Sequence, residues 1–369
     1  MDRWLRDDVR IATLGWVQLV AEVLRLTLWE WRKLRRRWMP WILLAIILVL
    51  MQAAQWFTYA AYHNESLQEF TGGGSQSFSI TEEVNGESIR IEATCESLEN
   101  EGLPQGIEQL TEERQAEFLT DLAQWQAEYC ANALPAEGLR NAFTIPQSIA
   151  GAATGTVGLA PILLIILAAS HVGSEYGWGT LRPALTRGAG RWQFLASKLV
   201  LLVLLSVAMS MVIAVATAGA SLLASVIPPE ETGTFAESGK WSEVFITWGK
   251  AIYAFVPYIG LSVCLAVLAQ SASAGIAIAL GYYVIELIAA PILNVTSWGQ
   301  RIADFLLGNN VGEWMEAAFV SVEIDGASST ANQPEVLQAF LVILAYTLVF
   351  CIAAFFAFLR RDIAGAKGE

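Results

Sequence analysis

Charged side chains are scarce in this chain: Asp, Glu, Lys and Arg make up 15% of its 369 residues, against 55% hydrophobic ones. That leaves too little polar surface to cover a water-soluble globule of this size, and excludes one. No GxxxxGK followed by Ser or Thr occurs, so the chain has no loop with which to cradle phosphates and cannot hydrolyse ATP alone. CxxC and His-rich spacings are missing, which leaves no metal-binding motif. An intramembrane enzyme would need acids or histidines clustered across several apolar segments, and only Glu286 stands clearly inside one. No internal repeat is evident.

What the chain does have is six long apolar runs, 41–62, 145–170, 199–227, 251–269, 275–293 and 337–359, none of which contains Lys or Arg. About 20 helical residues cross the hydrocarbon layer while satisfying every backbone group internally, so each run predicts a membrane-spanning helix. The polar run Gln270 to Ala274 separates the fourth from the fifth and predicts a tight helical hairpin. The first run lies too far in, and is too long, for a cleavable signal sequence.

Orientation follows from the bases, which are retained on the cytoplasmic side. Nine precede Trp41, four lie in 171–198 and three follow Leu359, together sixteen of 22. Six spans with both termini in the cytoplasm put all three segments on that side of the plasma membrane. The net charge of -13 arises in 63–144, which holds sixteen acids against Arg90, Arg114 and Arg140. An acidic segment of this kind is the wrong sign for a nucleic-acid surface.

The predicted fold is therefore an all-α polytopic membrane protein with an N-terminal interfacial helix and a small α+β extracytoplasmic domain. Residues 1–40 form the cytoplasmic N-terminal segment, with a helix over 8–37 on which Trp16, Leu19, Val23, Leu26 and Leu34 recur near helical spacing. Its cluster Arg32, Lys33, Arg35, Arg36 and Arg37 would meet anionic lipid headgroups, or serve only to set topology. After the first span, 41–62, the external segment 63–144 opens on the glycine linker 72–74. Alternation around Asn85-Gly86 then predicts a hairpin, and 111–133 a helix with Phe118, Leu122, Trp125 and Tyr129 on one face. A disulfide between Cys95 and Cys130 would staple hairpin to helix, whereas Cys264 and Cys351 read as small core residues. Residues 145–359 carry spans two to six, with external loops 228–250 and 294–336. The second of these has an amphipathic piece around 302–315, bearing Trp298 and Trp314, which suit the outer interface. The tail 360–369 is cytoplasmic.

Within the spans, Glu286 either lines a transport path or is packed and hydrogen-bonded, since a charge in lipid is costly. Gln52 and Gln55 suit hydrogen bonds between helices, and Gly151, Ala152, Gly155 and Gly158 suit close helix packing. His171, at a helix end, reads as a satisfied surface histidine.

Loop 171–198 mixes glycines that permit sharp turns, aromatic residues that favour an interface, and four bases. Its residues Glu175, Gly179, Thr180, Leu181, Arg182, Leu185, Thr186, Arg187, Arg191 and Lys198 resemble the corresponding loop of the type-two ABC exporter permeases. That loop carries an acid, Gly-Thr-Leu-Arg, Leu-Thr-Arg, a further Arg and a Lys entering the third span. The chain departs from many members in having Gly188-Ala189-Gly190 where a proline follows the Leu-Thr-Arg. The resemblance implies a coupling helix seated in a groove of a separate cytoplasmic P-loop ATPase, with Glu175 and Arg182 as polar contacts. It also implies a second permease copy or a homologous permease as partner, and a pathway driven by alternating access. ATP and Mg would bind on the ATPase and no cofactor on this chain. The rival reading is a membrane sensor or scaffold whose external domain binds a ligand without transport.

Overall fold

The computed structural model describes residues 18, 20–64, 77–84, 87–94, 107, 112–125, 143–179, 190–226, 238–293, 296–316 and 333–360. Helix α1 covers 20–34 and ends in the turn 35–37, where the Arg35 and Arg37 amides donate to the Trp31 and Leu34 carbonyls. Then follow α2 (Trp38–Tyr62), strands β1 (Ser77–Val84) and β2 (Glu87–Thr94), α3 (Glu112–Trp125), α4 (Gln147–Gly177) and α5 (Arg191–Ala224). The chain continues through α6 (Ser238–Ala269), α7 (Ala272–Leu293), α8 (Ser297–Ala303), α9 (Leu307–Glu316) and α10 (Gln333–Arg360). Pro40 falls in the first turn of α2, where its missing N–H costs nothing.

Among the described residues six helices are long and apolar enough to cross a bilayer, and they contain the six predicted runs nearly whole. They also overrun them: α5 begins at Arg191 and takes in Lys198, and α6 takes in Lys250. The apolar run therefore marks the part of a helix that suits lipid, while the helix continues for as long as its polar side chains find partners in protein.

The chain divides into two compact units. The larger is built from 1–51, 152–215 and 241–369. At its centre stands α6, whose most apolar window is 72% buried, against 11% for α7 and 17% for α10. Phe255, Ile259, Val263 and Val267 of α6 pack with Leu164, Leu167, Leu195 and Leu202 in the core. The outer helices carry on their outside an apolar face no soluble protein could tolerate, including Val284, Ile285, Leu287 and Ile288 on α7 and Leu348, Val349 and Ile352 on α10. The α6–α7 hairpin is tighter than the polar run suggested. Only Gln270 and Ser271 connect the helices, with Gln270 left-handed at φ 52° and Gly275 so close to Ala266 that a Cβ would lie 2.8 Å from its Cα.

The predicted amphipathic piece over 302–315 is two helices, broken at Asp304–Leu306. Thr296 caps α8 by accepting from the Gly299 amide, and Asn310, fully buried, donates to the Asp304 and Leu306 carbonyls across the break. Polar side chains thus satisfy backbone that one continuous helix would have satisfied itself. Trp314, expected to suit the outer interface, is buried. It lies on the inward face of α9 with Leu307 and Val311, and its ring packs against Tyr253 and Phe340 at 5.3 and 5.7 Å. Trp298 is exposed.

The smaller unit comprises 52–151 and 216–240. Gln55 Nε2 donates to the Thr217 carbonyl and the Ser221 hydroxyl at 3.2 and 3.1 Å, and Ser221 donates on to Ser148, so the expected interhelical polar packing is present. Gln52 donates to Gln55 at 3.4 Å. The α+β domain expected over 63–144 reduces, among the described residues, to an antiparallel hairpin with Val84 opposite Glu87, and to α3. A two-stranded ribbon is too small to make a domain by itself. Phe118 and Leu122 share the buried face of α3. Cys95 and Cys130, the linker 72–74 and helix residues 8–17 lie outside the described residues, whereas Cys264 is buried and Cys351 half-buried.

Candidate functional site

Helix α1 presents two faces of different use. Val20, Leu24, Leu28 and Trp29 are exposed, whereas Thr27, Glu30 and Leu34, spaced by three and four residues, are buried against the larger unit. A glutamate on the inward face of a helix demands a cation, and the first turns of α5 supply one. Lys198, 1% exposed, places its ammonium 2.9 Å from Glu30 Oε2 and 3.0 Å from Glu175 Oε1 of α4. Lys33 adds a second cation, 2.6 Å from Glu30 and 3.7 Å from Glu175.

The four charges sum to zero, which is what permits them to be buried: an isolated ion would lose several kcal/mol of hydration, and pairing offsets it. Burial pushes the Glu30 carboxyl up, but the Lys198 and Lys33 ammonium groups outweigh it and hold the group below its ordinary range. His171 closes the cluster from α4, its Nε2 3.5 Å from Glu30 Oε2. It is 4% exposed, so the surface position expected for it is incorrect, and neither ring nitrogen completes a hydrogen bond among the described residues.

Further contacts bind the same three helices. The Gln193 amide of α5 donates to Glu22 at 2.6 Å, the Thr27 hydroxyl to the Ser197 carbonyl at 3.3 Å, and Arg37 to the Ser174 hydroxyl at 3.1 Å. Arg37 also lies 4.5 Å over the Trp178 ring. Gly173, between His171 and Glu175, admits the α6–α7 turn so closely that a Cβ there would stand 2.4 Å from Ala272 Cα. The helix ends that bracket 180–189 are therefore locked to α1 and to one another.

Of the residues read from the loop, Glu175 departs most from expectation. At 5% exposure and paired with Lys198, it faces into the protein and is not available as a surface contact. Gly179 adopts φ 63°, the left-handed conformation that suits glycine after a helix end. Arg191 donates to the Leu359 carbonyl in the last turn of α10 at 3.3 Å. Thr180, Leu181, Arg182, Leu185, Thr186 and Arg187 lie outside the described residues. Glu30 escaped sequence reasoning, although an acid at helical spacing from Thr27 and Leu34 was the available signal.

Glu286 lies apart, on α7. Its Oε1 accepts from the Gly308 amide in the first turn of α9 at 2.7 Å, a favourable position for a carboxylate at a helix start. The family model described as ABC-2 family transporter protein matches residues 25–363. No curated protein matches the chain.

Proposed function

The chain belongs to the ABC-2 family of transporter permeases, and on that premise we propose that it is the membrane subunit of an exporter driven by a separate cytoplasmic ATPase. Alternating access is the mode of movement, and a second permease, the same chain or a homologue, completes the pathway. Both termini and 171–198 lie in the cytoplasm, and the acidic segment 63–144 lies outside. Helix α1 rests in the inner interface, its exposed Val20, Leu24, Leu28 and Trp29 in the acyl boundary and its arginines at the headgroups.

The observation that carries this reading is the buried bridge from Lys198 to both Glu30 and Glu175. A loop that only fixed topology would need no such joint. With both its roots and α1 in one block, a displacement of 180–189 passes to α4 and α5 together rather than being absorbed in the loop. Glu175 then acts as part of the joint, and contact with the ATPase falls to Arg182, Thr186 and Arg187.

The test is reconstitution of the complex with its ATPase. Arg182→Glu is expected to leave membrane insertion and ATP hydrolysis in place while abolishing export. Unchanged export, or labelling of a thiol introduced at 185 by an impermeant reagent from the outer face of sealed vesicles, overturns the reading.

A further inference from the structure

A groove of roughly 180 Å³ runs along the larger unit where α1 turns into α2 and both meet α5. Leu44, Leu205 and Met209 form its floor, against the hydrophobic core, while Trp41 and Val212 on its rim are 52% and 42% exposed. The groove is therefore open to whatever surrounds α2 and α5, and around two spanning helices that is lipid. Leu205 and Val212 lie about 10 Å apart along the α5 axis, so the space is elongated. Among the described residues that line it, Arg35 alone carries a charge, and it stands at the elbow between α1 and α2. The Trp41 indole donates to the Arg35 carbonyl at 3.0 Å, which ties the arginine to the first turn of α2.

The basic cluster of α1 divides by use. Lys33 pairs with Glu30 and Glu175, and Arg37 donates to Ser174 and lies over the Trp178 ring, so both serve the protein itself. Arg32, Arg35 and Arg36 are exposed and, among the described residues, pair with no carboxylate. Three free cations beside a membrane helix attract anionic headgroups, and a guanidinium offers two parallel N–H donors to phosphate oxygens. Setting topology needs the charge but not the groove beside it.

We propose that this groove holds one anionic phospholipid, its phosphate on the Arg35 guanidinium and one acyl chain along Leu44, Leu205 and Met209. Within a bilayer the apolar walls do not choose among lipids, since every lipid offers a similar tail. The choice falls on the head. A zwitterionic head brings its own cation, which offsets the attraction of Arg32, Arg35 and Arg36, whereas a head of net negative charge keeps it whole. That the lipid comes from the inner leaflet rests on the orientation proposed above; the binding itself needs neither that orientation nor an ATPase.

The experiment titrates the purified full chain in detergent with equal amounts of dioleoylphosphatidylglycerol and dioleoylphosphatidylcholine and counts the lipids retained by native mass spectrometry. One phosphatidylglycerol is expected to bind ahead of phosphatidylcholine. Arg35→Gln is expected to weaken phosphatidylglycerol by about fivefold and leave phosphatidylcholine unchanged. Ala208 lines the groove at an exposed position, so Ala208→Trp fills the space and is expected to expel the lipid with Arg35 intact. Arg25→Gln removes an exposed base of α1 away from the groove and is expected to change nothing, and glycerol phosphate, a head without tails, is expected not to compete. Equal retention of the two lipids, undiminished phosphatidylglycerol binding by Arg35→Gln or Ala208→Trp, or an equal loss with Arg25→Gln overturns the proposal. So does a lipid-free dimer that Ala208→Trp splits, which gives the groove to a second permease. Selective binding alongside outside labelling of a thiol at 185 would keep the site, move it to the other leaflet and remove the orientation instead.

Discussion

Lys198 holds two carboxylates at once, and its loss should be felt strongly. Lys198→Met keeps the length of the side chain but leaves Glu30 and Glu175 buried with the half-buried Lys33 as their cation. Removing one member of a buried pair costs about 3–5 kcal/mol, so the variant is expected to unfold at markedly lower temperature in detergent. The double change Lys198→Met with Glu30→Gln should recover part of that loss, which a thermal unfolding series with both single variants measures. Acid provides a second probe. Because Glu30 titrates below its ordinary value of 4.5 in the folded chain, its contribution is fully present above that value and is lost as pH falls through the lower, folded one. The native chain should therefore lose stability below about pH 4.5 more steeply than Glu30→Gln, read as the melting temperature against pH.

Legibility differed sharply among these residues. Glu175 and Lys198 stood out because the loop pattern marks them, yet their partner was not visible, since a lysine 168 residues beyond Glu30 gives no local sign of being opposite it. Turning Glu175 from an outward contact into an inward one likewise needed the packing of α1, because an acid near a helix end has the same sequence signature in either case.

Helices were easier to find than to bound. Each apolar run announces a span, because lipid tolerates no unsatisfied backbone, and all six appear. The ends did not follow from the runs. Helices α5 and α6 continue past them to reach Lys198 and Lys250, whose ammonium groups find carboxylates in the one case and the Met315 carbonyl at 2.8 Å in the other. The break between α8 and α9 was hidden because the sequence on both sides keeps a helical period, and only the buried Asn310 bridging it explains the stop.

Close approach of elements yields a direct test. At Gly173 an added methyl would lie 2.4 Å from the backbone of Ala272, which cannot step aside without moving the α6–α7 hairpin. Gly173→Ala is expected to cost about 1–3 kcal/mol by overpacking, whereas Gly177→Ala, one turn on, meets nothing within 4 Å and should cost nothing. Comparing the two melting temperatures separates a packing requirement from a general preference for glycine at this end of α4.

Composition and the length of the apolar runs determined by themselves that the chain lives in a membrane and crosses it as a bundle of helices. Those properties are sums over neighbouring residues, and the lipid solvent constrains them strongly. The pattern of 171–198 likewise pointed to the family that the match over 25–363 establishes. Tertiary structure alone decided that α6 is central and α7 peripheral, although the two are equally hydrophobic along the chain, with hydropathy 2.1 each. It alone decided that Glu30, His171, Glu175 and Lys198 form one buried cluster and that Arg35 stands at an apolar groove. Hydrophobicity is written locally and can be read along the chain, whereas the pairing of one buried charge with another depends on which helix faces meet, and that is settled only when the bundle packs.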